Sequence, residues 1–458
     1  MGQTTIGESR NALEKTFTVG EALAWAGVLL IIIILGAHYF RAGNTAAVLC
    51  LAGLILFHGS GAAWKTYAVG TALVWGVWEW GTAVQSLVML RAAMGAPWAR
   101  GAAILGVVAA LTALAASHTL AKAARRGRAT PAEPALTRAA AFTLTFLALY
   151  GLRWGRPDIL LLERLFPAWG SIQIFLLSWY AGYIAGKLNN PRTSRKTRKI
   201  VWFLFTAVFF GQLALGLAGI PGMTLPGTPH VPVPAFILFA PAYRGSFTMM
   251  PFLVLAATLL AGSAWCSMLC YFGSIEAVAG SGKPVKKARP MMETAIRHGR
   301  AAILLLGLAS ALILRYRGAP AMLTLGLVAL FTAGSLVVML FVSRRYTGMV
   351  HCTAFCPMGL VVNLLGILSS WRLRIDPARC NGCGSCEKVC AYRALDAPCR
   401  ERGQAALTCS LCRDCMGACP RNAIYLKHAL LPAKAGGSVF TVITVALHVL
   451  FLAAARPM

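Results

Sequence analysis

Residues 265–273 read Trp-Cys-Ser-Met-Leu-Cys-Tyr-Phe-Gly, and residues 351–359 read His-Cys-Thr-Ala-Phe-Cys-Pro-Met-Gly. The same offset of 86 residues separates Cys266 from Cys352, Cys270 from Cys356 and Gly273 from Gly359. Upstream of each copy lie an apolar helix, an outer loop and a second apolar helix. The pattern is an internal repeat: a transmembrane hairpin that ends in a thiol pair. An i, i+4 spacing puts both sulfurs on one helical face, where two pairs can converge on a metal or cluster, or act as redox dithiols. Buried cysteines are often plain small hydrophobes, but duplication at a membrane boundary argues against that for Cys266, Cys270, Cys352 and Cys356.

The surrounding composition supports a bilayer. Of 458 residues, 58% are hydrophobic and 12% charged, against about a quarter charged in soluble domains. A span needs about 20 mostly apolar residues. Eleven candidates fall near 20–39, 46–64, 68–90, 101–121, 138–152, 169–186, 200–219, 247–265, 301–314, 321–342 and 438–454. The first run is too long, and residues 1–18 too mixed in charge, for a cleaved signal, so the N-terminus is expected to stay attached. Lys122 to Arg138, Lys187 to Lys199, Lys283 to Arg300 and Arg344-Arg345 fall in loops on one side, which marks the cytoplasm. The N-terminus and residues 343–437 then lie inside and the C-terminus outside. The net charge of +29 is read as this topological bias plus attraction to anionic lipid headgroups, so no nucleic-acid partner is expected.

The remaining cysteines gather in a polar stretch. Cys380, Cys383, Cys386 and Cys390, then Cys409, Cys412, Cys415 and Cys419, form two runs of C-x2-C-x2-C-x3-C. In two-cluster ferredoxins the first three thiolates of a run hold one cubane and the fourth reaches across to the other. One [4Fe-4S] cluster is therefore expected on Cys380, Cys383, Cys386 and Cys419, the other on Cys409, Cys412, Cys415 and Cys390. Zinc sites would use paired C-x2-C knuckles instead. Pro420 follows the second run where Ala391 follows the first, a departure that can alter the turn. Cys399 reads as a spare thiol.

From Arg192 to Lys427 the chain resembles membrane polyferredoxins of the NapH, NosR and MauN type, which carry paired C-x3-C-P motifs ahead of two cluster-binding runs. Tyr271 stands where that family has a proline; Pro357 keeps it. The resemblance implies an electron-transfer protein on the cytoplasmic side of a bacterial inner membrane, passing electrons from the quinol pool toward a periplasmic respiratory reductase. Related polyferredoxins assist maturation of a copper oxidase, which makes copper handling at the C-x3-C pairs an alternative. A redox sensor is another.

The expected fold is thus an all-α polytopic membrane protein of about eleven transmembrane helices with a small α+β two-cluster ferredoxin-like domain. Its expected divisions are a six-helix block at 1–190, the repeated hairpins at 191–371, the ferredoxin-like domain at 372–430 and a terminal helix at 431–458. Membrane lipid, the quinone pool and other redox subunits are the expected partners. Within the first block, Glu79 is an intramembrane carboxylate suited either to proton uptake in quinol chemistry or to a structural hydrogen bond. His58 and His118 are candidate ligands for haem b, although lone histidines more often serve a local hydrogen bond. His38 and His448 are weaker haem candidates. The chain has no C-x-x-C-H, P-loop or dinucleotide fingerprint. Residues 158–166 read as a short helix lying on the outer leaflet, and Pro221 to Pro241 as an irregular outer loop.

Overall fold

The computed structural model describes residues 19–58, 63–129, 132–167, 169–223, 233–247, 249–280, 284–286, 290–431 and 433–454. The N-terminal residues 1–18, on which the uncleaved-leader expectation falls, lie outside this set. The chain divides into two compact units, residues 1–139 and 140–458.

The first unit is helical. It contains α1 (Val19–Arg41), α2 (Thr45–His58), α3 (Ala63–Ala93) and α4 (Ala99–Ala129), with α5 (Ala132–Gly155) beginning at its end. Helices α3 and α4 pack along most of their length. Small side chains at Ala68, Thr112, Ala116, Thr119 and Ala123 are buried, which lets helix backbones approach closely where hydrocarbon gives no hydrophobic drive to associate.

The second unit holds the cysteines other than Cys50. Helices α6 (Gly170–Asn189), α7 (Pro191–Leu217), α8 (Phe236–Arg244) and α9 (Met249–Ala261) lead to the first thiol pair, and α10 (Tyr271–Ala279) follows it. Helices α11 (Arg300–Tyr316) and α12 (Ala321–Val337) lead to the second pair, and α13 (Pro357–Leu365) follows that. A final helix, α14 (Ala433–Ala453), packs against α6 and α9. The segment expected to be a short surface helix forms two short helical turns, Pro157–Ile159 and Leu161–Leu165.

Among the described residues eight helices are long and apolar enough to cross a membrane. They fall in eleven-span positions one, four, five and seven to eleven. The other three candidates also form helices: α2 has 14 residues, α3 carries Lys65, Glu79 and Arg91, and α6 carries Gln173 and Lys187. Outward faces are apolar as well, with Leu305, Leu306, Leu312, Ile313, Leu323 and Leu330 all exposed. Water would penalise such a surface and hydrocarbon does not. The chain is a multi-pass membrane protein.

Between α13 and α14 lies a small α+β region. Its strands β1 (Trp371–Ile375) and β2 (Ile424–His428) pair antiparallel, from Trp371↔His428 to Ile375↔Ile424. They bring the two ends of the region together and enclose both cysteine runs. Trp371, Leu373, Ile375, Ile424 and Leu426 turn inward to a core shared with Tyr392, Leu395 and Leu411.

The repeat is visible in the backbone, and it differs from the expected regular helix. Trp265–Leu269 and His351–Phe355 are each a five-residue π turn. The second cysteine is extended, with φ/ψ of −81°/109° at Cys270 and −76°/115° at Cys356, and it caps the next helix. Cys270 N–H donates to Trp265 O at 3.0 Å and Cys356 N–H to His351 O at 2.7 Å. The glycine common to both copies fits this turn: a Cβ would sit 3.1 Å from Cys266 O at Gly273 and 2.7 Å from Cys352 O at Gly359.

Candidate iron-sulfur centre

Two cradles lie in the α+β region. Cys380, Cys383, Cys386 and Cys419 line one, together with Arg400 and Arg421. Cys390, Cys409, Cys412 and Cys415 line the other, together with Tyr392, Arg413 and Asp414. The fourth cysteine of each run thus reaches the partner cradle. Cys399 lines neither; it is buried in the helical turn Ala397–Glu401, where its N–H donates to the capping Asp396 carboxylate at 2.9 Å.

Both runs wrap in the same way. The second and fourth residues after the first cysteine are left-handed in each: Gly382 and Gly384, both at φ 71°, and Leu411 at 52° and Arg413 at 64°. Glycine takes this conformation freely, whereas Leu and Arg pay about 1–2 kcal/mol. Arg393 and Asn422, three residues after the crossing cysteines, match as well at φ 53° and 49°. Directly after them Ala394 N–H donates to Cys390 Sγ and Ala423 N–H to Cys419 Sγ, each at 3.3 Å. Ala391 therefore leaves the turn as Pro420 has it. Four thiols per cradle, with backbone N–H groups aimed at sulfur, are the donor set and hydrogen bonding that a cubane uses.

The two cradles differ in setting. Cys383 in the outer one is exposed, and hydrogen bonding to Ser385 lowers its thiol pKa. In the inner one burial pushes Cys409 up to about 12 and raises Cys390 and Cys415 further. Binding iron to those thiols must displace protons, which couples loading to folding.

The inner cradle is fastened to the first thiol turn. Ser267 Oγ donates to Ser410 O at 2.9 Å, and Tyr392 OH donates to Cys266 O at 2.9 Å. Arg198, buried on α7, donates to both Asp414 oxygens at 3.1 and 2.7 Å and to Ser267 O at 3.1 Å. Cys266, Cys270, Cys352 and Cys356 are all buried. Their sulfurs lie within electrostatic range of one another, and the Arg300 guanidinium lies within range of three of them.

The sequence reading overlooked Glu276 and His351. The Glu276 carboxylate accepts from His351 N–H at 2.6 Å, Cys352 N–H at 3.1 Å and Ser343 OH at 2.6 Å. It groups with His351 and Cys352 at ligand-atom separations within 4.8 Å. A signal was present: Val362 occupies the position 86 residues after Glu276, and Trp265 the one 86 before His351, so the repeat is polar in one half of each pair. His448 is also buried; its Nδ1 lies 3.2 Å from Met268 O and its Nε2 3.5 Å from Tyr180 OH. These partners give it the local hydrogen bonds that the bland alternative to a haem ligand supposes.

Other expected residues lie elsewhere. Glu79 is half-buried on α3 and its backbone oxygen accepts from Thr82 Oγ1 at 2.9 Å. His118 is exposed on α4, and the side chain of His58 is outside the described set. The His38 ring lies 4.8 Å from that of Trp80, tilted by 53°.

Residues 244–289 and 325–376 each match a family model for a 4Fe-4S binding domain, and residues 373–395 match a second model of that description. The chain is an iron-sulfur protein of the ferredoxin type. One model matching the second helix and the C-x3-C pair of each hairpin agrees with the internal repeat. No curated protein matches the chain, and no solved structure does.

Proposed function

We propose that the chain is a membrane electron-transfer subunit, relaying electrons between the quinone pool and two [4Fe-4S] clusters at the cytoplasmic face of a bacterial inner membrane. Cys380, Cys383, Cys386 and Cys419 hold the outer cluster, and Cys390, Cys409, Cys412 and Cys415 the inner one. When bound, such clusters supply one-electron transfer. The observation that carries the reading is the order of thiol sites: membrane pairs, inner cradle, exposed outer cradle. Ser267, Tyr392 and Arg198 hold the first two in contact; the membrane thiols are all buried, as are Cys390 and Cys415 of the inner cradle. Arg421, exposed beside the outer cradle, suits an acidic soluble redox partner. In this reading the other end of the path serves a periplasmic reductase, with the N-terminus inside and the C-terminus outside.

The test is anaerobic purification into lipid nanodiscs, metal quantitation, and electron paramagnetic resonance before and after adding quinol. About eight iron atoms per chain and two cubane signals that quinol elicits are expected. Zinc in place of iron, or clusters reduced by dithionite and never by quinol, would overturn the reading.

A second reading, copper handling, is supported by the four membrane thiols beside the His351 and Glu276 side chains, because thiolates and imidazole suit copper. Copper retained by the purified protein, and lost in Cys352→Ser with both cubanes intact, would favour it.

A further inference from the structure

Arg413 stands where the backbone favours glycine. It is left-handed at φ 64°, and the matching residue of the outer cradle is Gly384 at 71°. Glycine takes that conformation freely and arginine does not. The position follows Cys412 directly, and Arg413 lines the inner cradle. The chain therefore holds a cation beside the inner thiols against its own backbone preference.

That charge has no counter-charge from the protein. Arg413 Nη1 donates to Thr441 Oγ1 at 2.9 Å and to Gly437 O at 3.4 Å, and Nη2 donates to Leu188 O at 3.4 Å. The guanidinium also lies over the Phe440 ring at 5.2 Å. These partners, on α14 and α6, are all neutral. The carboxylate that lines the cradle is taken: Asp414 pairs with the buried Arg198 at 2.7 Å and has Arg195 at 3.8 Å. Among the described residues, three guanidiniums thus stand against one carboxylate beside the inner cradle, and each stays charged at neutral pH. At the outer cradle Arg400 is paired with Glu387 at 2.6 Å, Arg421 is exposed, and the position of Arg413 carries no side chain.

Four thiolates on a cubane carry a net charge of about −2, which becomes about −3 on reduction. Burial opposes that added charge, and a fixed cation nearby offsets the opposition. We infer that Arg413 sets the reduction potential of the inner cluster, its positive charge raising that potential while leaving the outer cluster's alone. The inference rests on the electron-transfer reading and deepens it, because it names what makes the buried cluster reducible. The step is the addition of one electron from a donor, with no bond formed or broken. A unit charge about 10 Å away in an effective dielectric of about 20 shifts such an equilibrium more than tenfold. Docking on α14 alone would explain the same hydrogen bonds, but it would not move a potential.

The experiment is an anaerobic redox titration of the loaded protein in nanodiscs with dithionite and soluble mediators, read by electron paramagnetic resonance. Cys383→Ser identifies the outer signal. Arg413→Gln should make the inner cluster at least tenfold harder to reduce, a fall of about 59 mV for one electron, with the outer potential unchanged. Arg413→Lys keeps the charge, loses the planar fork and should stay near wild type. Arg413→Gly, the residue the outer wrap already uses there, replaces Arg413→Gln if the latter does not retain iron. An unchanged inner potential in the neutral variant, a lysine variant shifted as far as glutamine, or equal shifts in both clusters would overturn the inference. The titration needs no quinol. A shifted inner potential in a protein that quinol never reduces sinks the function and keeps Arg413's role, whereas reduction by quinol with an unshifted Arg413→Gln protein does the reverse.

Discussion

The two cysteine cradles share one backbone and differ in almost everything attached to it. Left-handed residues fall at the same two positions, glycines in the outer cradle and Leu411 and Arg413 in the inner. Those larger side chains are put to use. Leu411 is buried and closes against Gly262, at the end of the helix that delivers Cys266. Arg413 donates to Thr441 Oγ1 at 2.9 Å and lies over the Phe440 ring. Conformational strain in one copy is thereby offset by docking on the membrane helices, while the other copy leaves Cys383 exposed. The two wraps match in backbone, and different residues at the same positions give them different neighbours.

The widest expected separation between the cradles is in electron flow. Cys415→Ser should abolish quinol-linked reduction of a soluble acceptor, because the inner site is the contact with the membrane thiols. Cys383→Ser should leave the inner signal reducible by quinol. Spectra of both variants after quinol addition make the comparison, and a Cys415→Ser protein with wild-type flow would reverse the order assigned to the sites.

Stability should separate them next. Asp414 and Arg198 are both buried and hydrogen-bonded, so Asp414→Ala leaves an uncompensated guanidinium and should cost about 3–5 kcal/mol. At the outer cradle Arg400 and Glu387 are 2.6 Å apart, but Glu387 is exposed, and Glu387→Ala should cost less than about 1 kcal/mol. Thermal unfolding in matched detergent reads both, and equal losses would mean that the inner fastening is not what holds the region.

How much of this was readable beforehand depended on the range of the interaction. The grouping of eight cysteines into two cradles, with Cys390 and Cys419 crossing over, was legible because the C-x2-C-x2-C-x3-C spacing is carried by consecutive residues. Eight of the expected spans were legible because hydrophobic length is a local property. Arg198 was read only as part of a basic loop: its partner Asp414 is 216 residues away, and nothing local distinguishes it from Arg195. The π turns were read as regular helix because i, i+4 spacing suits both. Glu276 was missed because a single carboxylate just beyond a span has no periodic signature, although the 86-residue repeat would have exposed it as an asymmetry.

Backbone strain gives a smaller contrast. Gly382 has open space around it, so Gly382→Ala should cost only the left-handed penalty of about 1–2 kcal/mol. Leu411→Gly relieves a similar penalty but removes a buried side chain worth about 1.5–3 kcal/mol, so it should still destabilise. A stabilised Leu411→Gly protein would show that the docking contributes little.

The smallest effect is chemical. In protein stripped of iron, Cys383 is exposed and its hydrogen bonding to Ser385 favours thiolate, whereas burial holds Cys390 and Cys415 as thiols far above neutral pH. A lowered pKa means more thiolate at neutral pH, so alkylation followed by mass spectrometry should mark Cys383 well before either buried cysteine. Ser385→Ala should raise the Cys383 pKa and slow its labelling by less than about tenfold, since one hydrogen bond moves a pKa by about a unit or less. The ratio of Cys383 to Cys415 labelling would then narrow without closing, because access and desolvation separate the two thiols independently of Ser385. If the ratio closed entirely, the hydrogen bond rather than burial would be what distinguishes the two cradles.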